Sequence, residues 1–316
     1  MAMKFSRSLT VSLMLLIPGT LFCQDYPNRT IRIYTSNVGG SGDFLSRLIA
    51  QGISGPLGQP VVVENRGGIF AAEPVSKAAP DGYSLLVNSG TWYLATLLTK
   101  LPYDPLKDFA PVTITSSTPN ILVVHPSLPV KSVKELIALA KARPGQLNYG
   151  AAGVGGTGHL SAEMFNSMAG VNIVNILYKG SGRSVAALVG GEIQLVFSDY
   201  VPLEPHVKSG RLRALAVTSE RPSELFPGMP TVAAVVPGYI ALSNAGVVAP
   251  AKTPTAIINR LNQEIVRVLR TPENRERIFR TGSEVVGSTP EELFAWMKTD
   301  MARMGKVIKD AGIKVE

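Results

Sequence analysis

Ile31-Arg32-Ile33-Tyr34-Thr35, followed at once by Ser36-Asn37-Val38-Gly39-Gly40-Ser41-Gly42-Asp43, decides how this chain is read. The first five residues are β-branched, aromatic or paired with a charge in alternation, which is a strand pattern. The next eight are small or polar, the composition of a tight strand-to-helix turn. Asp43 is placed to cap the helix that follows. The same unit recurs downstream, with further strands expected at 61–64, 84–87, 120–124, 147–150, 173–177, 194–197, 212–217 and 246–249. Alternation of strands with helical stretches points to a largely parallel sheet covered by helices, an α/β fold.

The helices carry their own punctuation. Ser132 and Glu135 have capping-box spacing ahead of a helix that stops at Pro144-Gly145. Thr253-Pro254 and Thr289-Pro290 each place a cap and a proline at a helix start, and Ile258, Leu261, Ile265 and Val268 recur with helical spacing. Residues 125–245 contain a complete set of strands and helices of their own. The expected organisation is therefore two lobes, one discontinuous (25–124 with 246–316) and one inserted (125–245), joined by two crossing strands and enclosing a cleft.

The N-terminus has the layout of a secretory signal peptide over residues 1–23: Lys4 and Arg7, then an apolar run, then Pro18-Gly19. That run is too short to span a membrane. Cleavage after Cys23 would remove the single cysteine of the chain, and with it disulfides, thiolate catalysis and cysteine-ligated metal. With 316 residues and 45% hydrophobic content, the remainder can build a large core without such staples. The net charge is +8, or +6 once Lys4 and Arg7 are removed, since they are the only charges before Gln24. Lys and Arg are scattered with no dense basic run and no interleaved aromatics, which argues against nucleic acid and fits a mild attraction for anionic solutes.

In open α/β sheets, ligands bind beyond the carboxyl ends of the strands. The loops there are Ser36 to Asp43, Asn88-Ser89-Gly90-Thr91, Ser116-Ser117-Thr118, Gly153 to Gly158 and Lys179-Gly180-Ser181-Gly182. Glycine lets a backbone approach a ligand closely, and the amides of a helix's first turn favour an anion. Gly153, Gly155 and Gly158 match a dinucleotide fingerprint, but Tyr178-Lys179-Gly180 stands where the ribose-binding acid belongs, so no nucleotide cofactor is expected. Gly39-Gly40-Ser41-Gly42-Asp43 approaches a nucleophile elbow and ends in Asp where glycine belongs. An exported hydrolase would need one of His125, His159 or His206 as base, and only His159 lies in a candidate loop; no histidine pair has metal-ligand spacing. A bland role for His159 is a hydrogen bond at a helix start. Glu291-Glu292 fall in a helix's first turn and carry no chemistry.

Several stretches, taken in order, resemble the Bug-type receptors of tripartite tricarboxylate transporters. They are Tyr26-Pro27, Leu57-Gly58-Gln59-Pro60-Val61-Val62-Val63-Glu64-Asn65, Pro80-Asp81-Gly82-Tyr83, Phe109-Ala110-Pro111-Val112, His159-Leu160, Tyr178-Lys179-Gly180, Gly210-Arg211-Leu212-Arg213-Ala214-Leu215-Ala216-Val217 and Pro230-Thr231-Val232. The resemblance implies a two-lobed periplasmic-binding fold, no catalysis and no cofactor. It also implies delivery, as a monomer, of a small carboxylate solute to a large and a small membrane subunit; a receptor serving a membrane sensor is the alternative. Carried onto this chain, it implies ligand contacts from Ser36, Asn37, Gly39, Gly40, Ser41 and Asp43 in one lobe. From the other lobe it implies Gly156, Thr157, His159, Tyr178, Gly180, Ser181 and Asp199. The chain departs from the family at Asn37-Val38-Gly39-Gly40, where Pro-Gly-Gly after an aromatic is usual, and at Asn244-Ala245, which replaces an aromatic.

Overall fold

The computed structural model describes residues 26–314; the signal peptide expected at 1–23 lies outside the described residues. The strands are β1 (Ile31–Thr35), β2 (Val61–Asn65), β3 (Ser84–Ser89), β4 (Phe109–Pro119), β5 (Ile121–Val124), β6 (Asn148–Ala151), β7 (Val174–Leu177), β8 (Leu195–Ser198), β9 (Arg213–Val217), β10 (Leu242–Pro250) and β11 (Glu284–Val285). The helices are α1 (Ser41–Leu57), α2 (Ala72–Ser76), α3 (Thr91–Leu94), α4 (Val133–Ala142), α5 (Thr157–Ala169), α6 (Ser181–Val189), α7 (Glu204–Lys208), α8 (Thr255–Leu269), α9 (Pro272–Phe279) and α10 (Pro290–Asp310).

The strands form two sheets, ordered β11-β4-β10-β3-β1-β2 and β7-β6-β8-β5-β9. Position in the sheet explains composition. Central β5 is buried at every residue and reads Ile-Leu-Val-Val, whereas edge strand β7 leaves Val174, Ile176 and Leu177 exposed. Neither sheet is largely parallel as expected. β1 pairs parallel with β2 and β3, and β6 with β7 and β8, but β10 runs antiparallel to β3 and β4, and β5 antiparallel to β8 and β9.

That difference comes from β4, the longest strand and one absent from the sequence reading. Its Thr-Ile-Thr-Ser-Ser-Thr run is polar, and Ser116-Ser117-Thr118 was expected as a loop; instead these residues pair with Asn244, Ala245 and Ser243 of β10. Backbone pairing on both sides satisfies a strand that side-chain hydrophobicity does not announce. The chain leaves the first sheet at Pro119 and enters the second at Ile121. The strand at 121–124, expected in the first lobe, thus lies in the second sheet. The return passes through Ala241 to Leu242, which sits opposite Pro119. At this double crossing Asn120 O accepts from the Thr218 amide (3.0 Å) and hydroxyl (2.9 Å), and the Ala241 amide donates to Thr218 O (3.0 Å).

Helix packing follows the stripes. Leu45, Leu48, Ile49 and Ile53 of α1 bury against the β1 face together with Ile258, Leu261, Ile265 and Val268 of α8; each contributes on the order of 2 kcal/mol. Gly52 permits this closeness, since a Cβ there would stand 2.4 Å from Val268. α10 packs on β4 and α8 and also on α5, so the last helix touches elements of both sheets. Within it Asp300 accepts from Tyr93 (3.0 Å) and Arg303 (2.6 Å), all in the shared core. The Thr289 capping box forms as the spacing predicts. Ser132 caps α4, with the Glu135 carboxylate reaching one residue further, to the Lys131 amide. Thr253 does not cap: its hydroxyl donates to Pro250 O (2.7 Å), and Pro254 is the N-cap of α8. No helix among the described residues is long and apolar enough to cross a membrane.

Candidate functional site

A cleft of about 540 Å³ is lined by Gly39, Gly40, Ser41 and Phe44 from the start of α1 and by Thr118 of β4 and Ser243 of β10. Asp199, Val201 and Pro202 follow β8 of the second sheet, and Arg280, Thr281 and Ser283 lie between α9 and β11. The cleft therefore lies where the two sheets meet, beside the crossing strands.

Its first wall is built by a short device. Gly39 has φ of +80°, which glycine adopts without strain and which turns the chain into α1. The Asp43 carboxylate reaches back to accept from the Gly39 amide (3.0 Å) and also takes Asn65 Nδ2 (3.0 Å) and Arg47 Nε (2.9 Å). The Arg47 guanidinium first, then these backbone and amide donors, hold the Asp43 carboxyl down at about 2 against the opposing effect of burial. Asp43 is thus engaged within the loop and is not among the residues lining the cleft.

The second loop repeats the device. Gly39-Gly40-Ser41-Gly42-Asp43 has its counterpart in Gly155-Gly156-Thr157-Gly158-His159, a correspondence visible in the sequence once the two are aligned. Gly155 has φ of +72°, and its amide donates to His159 Nδ1 at 3.0 Å, as Gly39 does to Asp43. His159 is buried against Tyr149, and burial lowers its pKa, offset only in part by Glu163. Its Nδ1 thus accepts a hydrogen bond at the helix start, which fixes the ring within the loop.

Gly42 and Gly158 hold the matching second helical position, and each is required by close packing. A Cβ at Gly158 would lie 2.3 Å from the Phe197 carbonyl oxygen, and one at Gly42 would lie 2.8 Å from Ser36 Oγ and 2.9 Å from Thr35 Oγ1. Both helices consequently start directly over a strand end. No side chain caps α1 or α5, whose N-caps are Gly40 and Gly156; α6, starting at Gly180, is likewise uncapped. α4, α9 and α10 are closed by Ser132, Thr271 and Thr289, and among the other long helices described only α8 shares the open start. Open first turns leave amide donors and the positive end of the dipole available to an anion.

Of the expected contacts, Gly39, Gly40, Ser41 and Asp199 come together in the cleft. Thr157 lines a separate, nearly filled cavity of about 20 Å³ with Asn120, Leu242 and Asp300, behind the crossing strands. Ser36, Asn37, Gly156, Tyr178, Gly180 and Ser181 are not in the cleft wall. Ser36 O accepts from Asn65 (2.9 Å), and Asn37 O from the Gly40 amide (3.3 Å), so both shape the loop. Asp199 keeps surface open to the cleft but is surrounded closely enough that burial raises its carboxyl above the usual range. Thr118, whose hydroxyl is 2.7 Å from that of Ser283, is among the lining residues the sequence did not suggest, as are Ser243, Val201 and Arg280.

Comparison with known proteins agrees with this geometry. Residues 45–313 match the family described as "Tripartite tricarboxylate transporter family receptor". Protein BugT of Bordetella pertussis is 36% identical over 308 residues, 95% of this chain and 94% of that protein. Among solved structures, Rpa4515 of R. palustris with adipate is 36% identical with a TM-score of 0.73, covering 92% of this chain and 99% of the other. MatC from Rhodopseudomonas palustris with bound malate is 28% identical with a TM-score of 0.69, covering 90% and 100%.

Proposed function

The chain belongs to the tripartite tricarboxylate transporter receptor family, and from that premise we propose that it captures a small carboxylate in the cleft between its sheets and hands it to a transporter. The observation that carries the reading is the pair of uncapped, glycine-led helix starts, Gly39 to Asp43 and Gly155 to His159, in a fold that caps α4, α9 and α10 with side chains. The adipate and malate complexes of the two similar structures support the same ligand chemistry.

In this reading Gly39 and Gly40 let the ligand come close to the backbone, and the amides of Ser41 and Gly42 with the Ser41 hydroxyl supply the first contacts. The α5 start with Gly156 and Thr157, and the loop of Tyr178, Gly180 and Ser181, approach when the lobes close about the crossings at Asn120 and Ala241. The lobes are then residues 26–119 with 242–314 and the segment between. Closure excludes water and strengthens each amide–carboxylate bond. The protein is exported, acts in the periplasm without catalysing a reaction, and passes its solute to the two membrane subunits.

A thermal-shift screen of the purified protein against di- and tricarboxylates, amino acids and aromatic acids, followed by calorimetry, tests the reading. A true ligand at about 100 times its Kd stabilises by roughly 2.7 kcal/mol. Turnover of the compound, or silence across all carboxylates, would defeat it.

A further inference from the structure

Asp199 stands out among the residues lining the cleft. It is the acidic residue of that wall, on the side opposite the α1 start, and no ion pair or side-chain hydrogen bond engages its carboxylate among the described residues. The cation of the wall, Arg280, is already bound at Nε to Glu276 (3.0 Å) on its own helix. Asp199 is exposed toward the cleft, and the packing around its carboxyl raises that group above its usual range. Thr118, Ser243, Thr281 and Ser283 give the space between hydroxyls but no charge.

A ligand carboxylate held by the amides of Ser41 and Gly42 would bring a negative charge into a cavity that already holds one. A second carboxylate directed at Asp199 would add repulsion in a partly water-excluded space, whereas an ammonium would neutralise it through charge-assisted hydrogen bonds. We propose that Asp199 is a specificity-determining residue that selects solutes carrying an amine as well as a carboxylate, that is, zwitterionic amino acids, over simple dicarboxylates. This inference rests on the carboxylate-receptor reading given above.

The test uses pairs of acids on one carbon skeleton, measured by calorimetry on the purified protein: glutarate against glutamate, and hexanoate and adipate against 6-aminohexanoate. The amine-bearing member of at least one set binds about tenfold or more tightly than its amine-free partners. Asp199→Asn removes that preference, weakening the amino acid about tenfold while leaving the amine-free acids unchanged or tighter. In the unmodified protein, an amine-free acid binding as well as its amine-bearing partner in both sets would overturn the inference and leave the receptor reading intact. Retention of the amine preference in Asp199→Asn would equally overturn it. Absence of binding by every acid, with or without an amine, would instead bring down the receptor reading and this inference together. The paired comparison on the unmodified protein does not depend on the variant folding.

Discussion

Three glycines occupy the same second position of a helix after Ser or Thr, Gly42 in α1, Gly158 in α5 and Gly182 in α6, and alanine at each meets a different environment. Replacing a helical glycine by alanine stabilises by about 0.4–1 kcal/mol where nothing obstructs the new methyl. Gly182 has nothing within 4 Å, so Gly182→Ala gains that amount. At Gly158 the Cβ would be 2.3 Å from a backbone oxygen of β8, which cannot rotate away. Reaching van der Waals separation there takes a shift of about 1 Å. Overpacking of that kind costs about 1–3 kcal/mol, so Gly158→Ala is destabilised by about 1–2 kcal/mol net. Gly42→Ala falls between them. Ser36 Oγ can swing aside, but Thr35 Oγ1 is held by its bond to Val87 O (2.8 Å), and losing that bond offsets the gain. Urea unfolding midpoints give the order Gly182→Ala above the parent, Gly42→Ala near it, Gly158→Ala below. Calorimetry with a bound solute gives unchanged affinity for Gly182→Ala and loss for the other two, whose helix starts have moved. Equal stabilisation of all three would refute the claim that two of these glycines bring helix starts down onto strand ends.

Three further outcomes follow from the same geometry. Asp43 has a folded pKa depressed to about 2, so its contribution is complete above its unfolded value near 3.8 and is lost as pH falls toward 2. Asp43→Asn lowers stability by about 1–2 kcal/mol at pH 7, discounted for the half-exposed Arg47, and flattens the acid limb of a pH series of unfolding curves. His159 is also depressed, so the protein loses stability as pH falls below about 6.5, and His159→Gln, which keeps an acceptor for the Gly155 amide, loses less over that interval. Asp300→Ala strands the Arg303 guanidinium and the Tyr93 hydroxyl inside the core shared by α10 and α5. It costs about 3–5 kcal/mol by denaturant titration.

What could be read from the sequence divides along physical lines. β1 was legible to the residue because Ile31, Ile33 and Thr35 face one buried side while Arg32 faces out to Glu64. The α8 stripe was legible for the same reason at helical period. β4 was not, because a strand flanked on both sides by partners is held by its backbone, and Ser116-Ser117-Thr118 looks like a turn when the partner strand lies 130 residues away at Ala245. That residues 121–124 belong to the second sheet was hidden for the same reason, since the crossing at Asn120 makes sense only with a strand on each side. In the site, the glycine loops announced themselves. Asp43 and His159 have the polarity of ligand contacts, and each also accepts a hydrogen bond from the amide four residues earlier, which ties it into its own helix start. Arg280 and Ser283 come from beyond the second crossing, and no local pattern ties them to Ser41.

The most direct measurement is a ¹H–¹⁵N correlation spectrum of the protein titrated with the solute the screen selects. The account requires the amides of Ser41 and Gly42 to shift downfield as they take up the carboxylate, with those of Thr157 and Gly158 following on closure. Shifts confined to the adjoining, larger cavity of about 640 Å³ around Arg270, Arg275 and Glu284, with the two glycine-led helix starts unmoved, would contradict it.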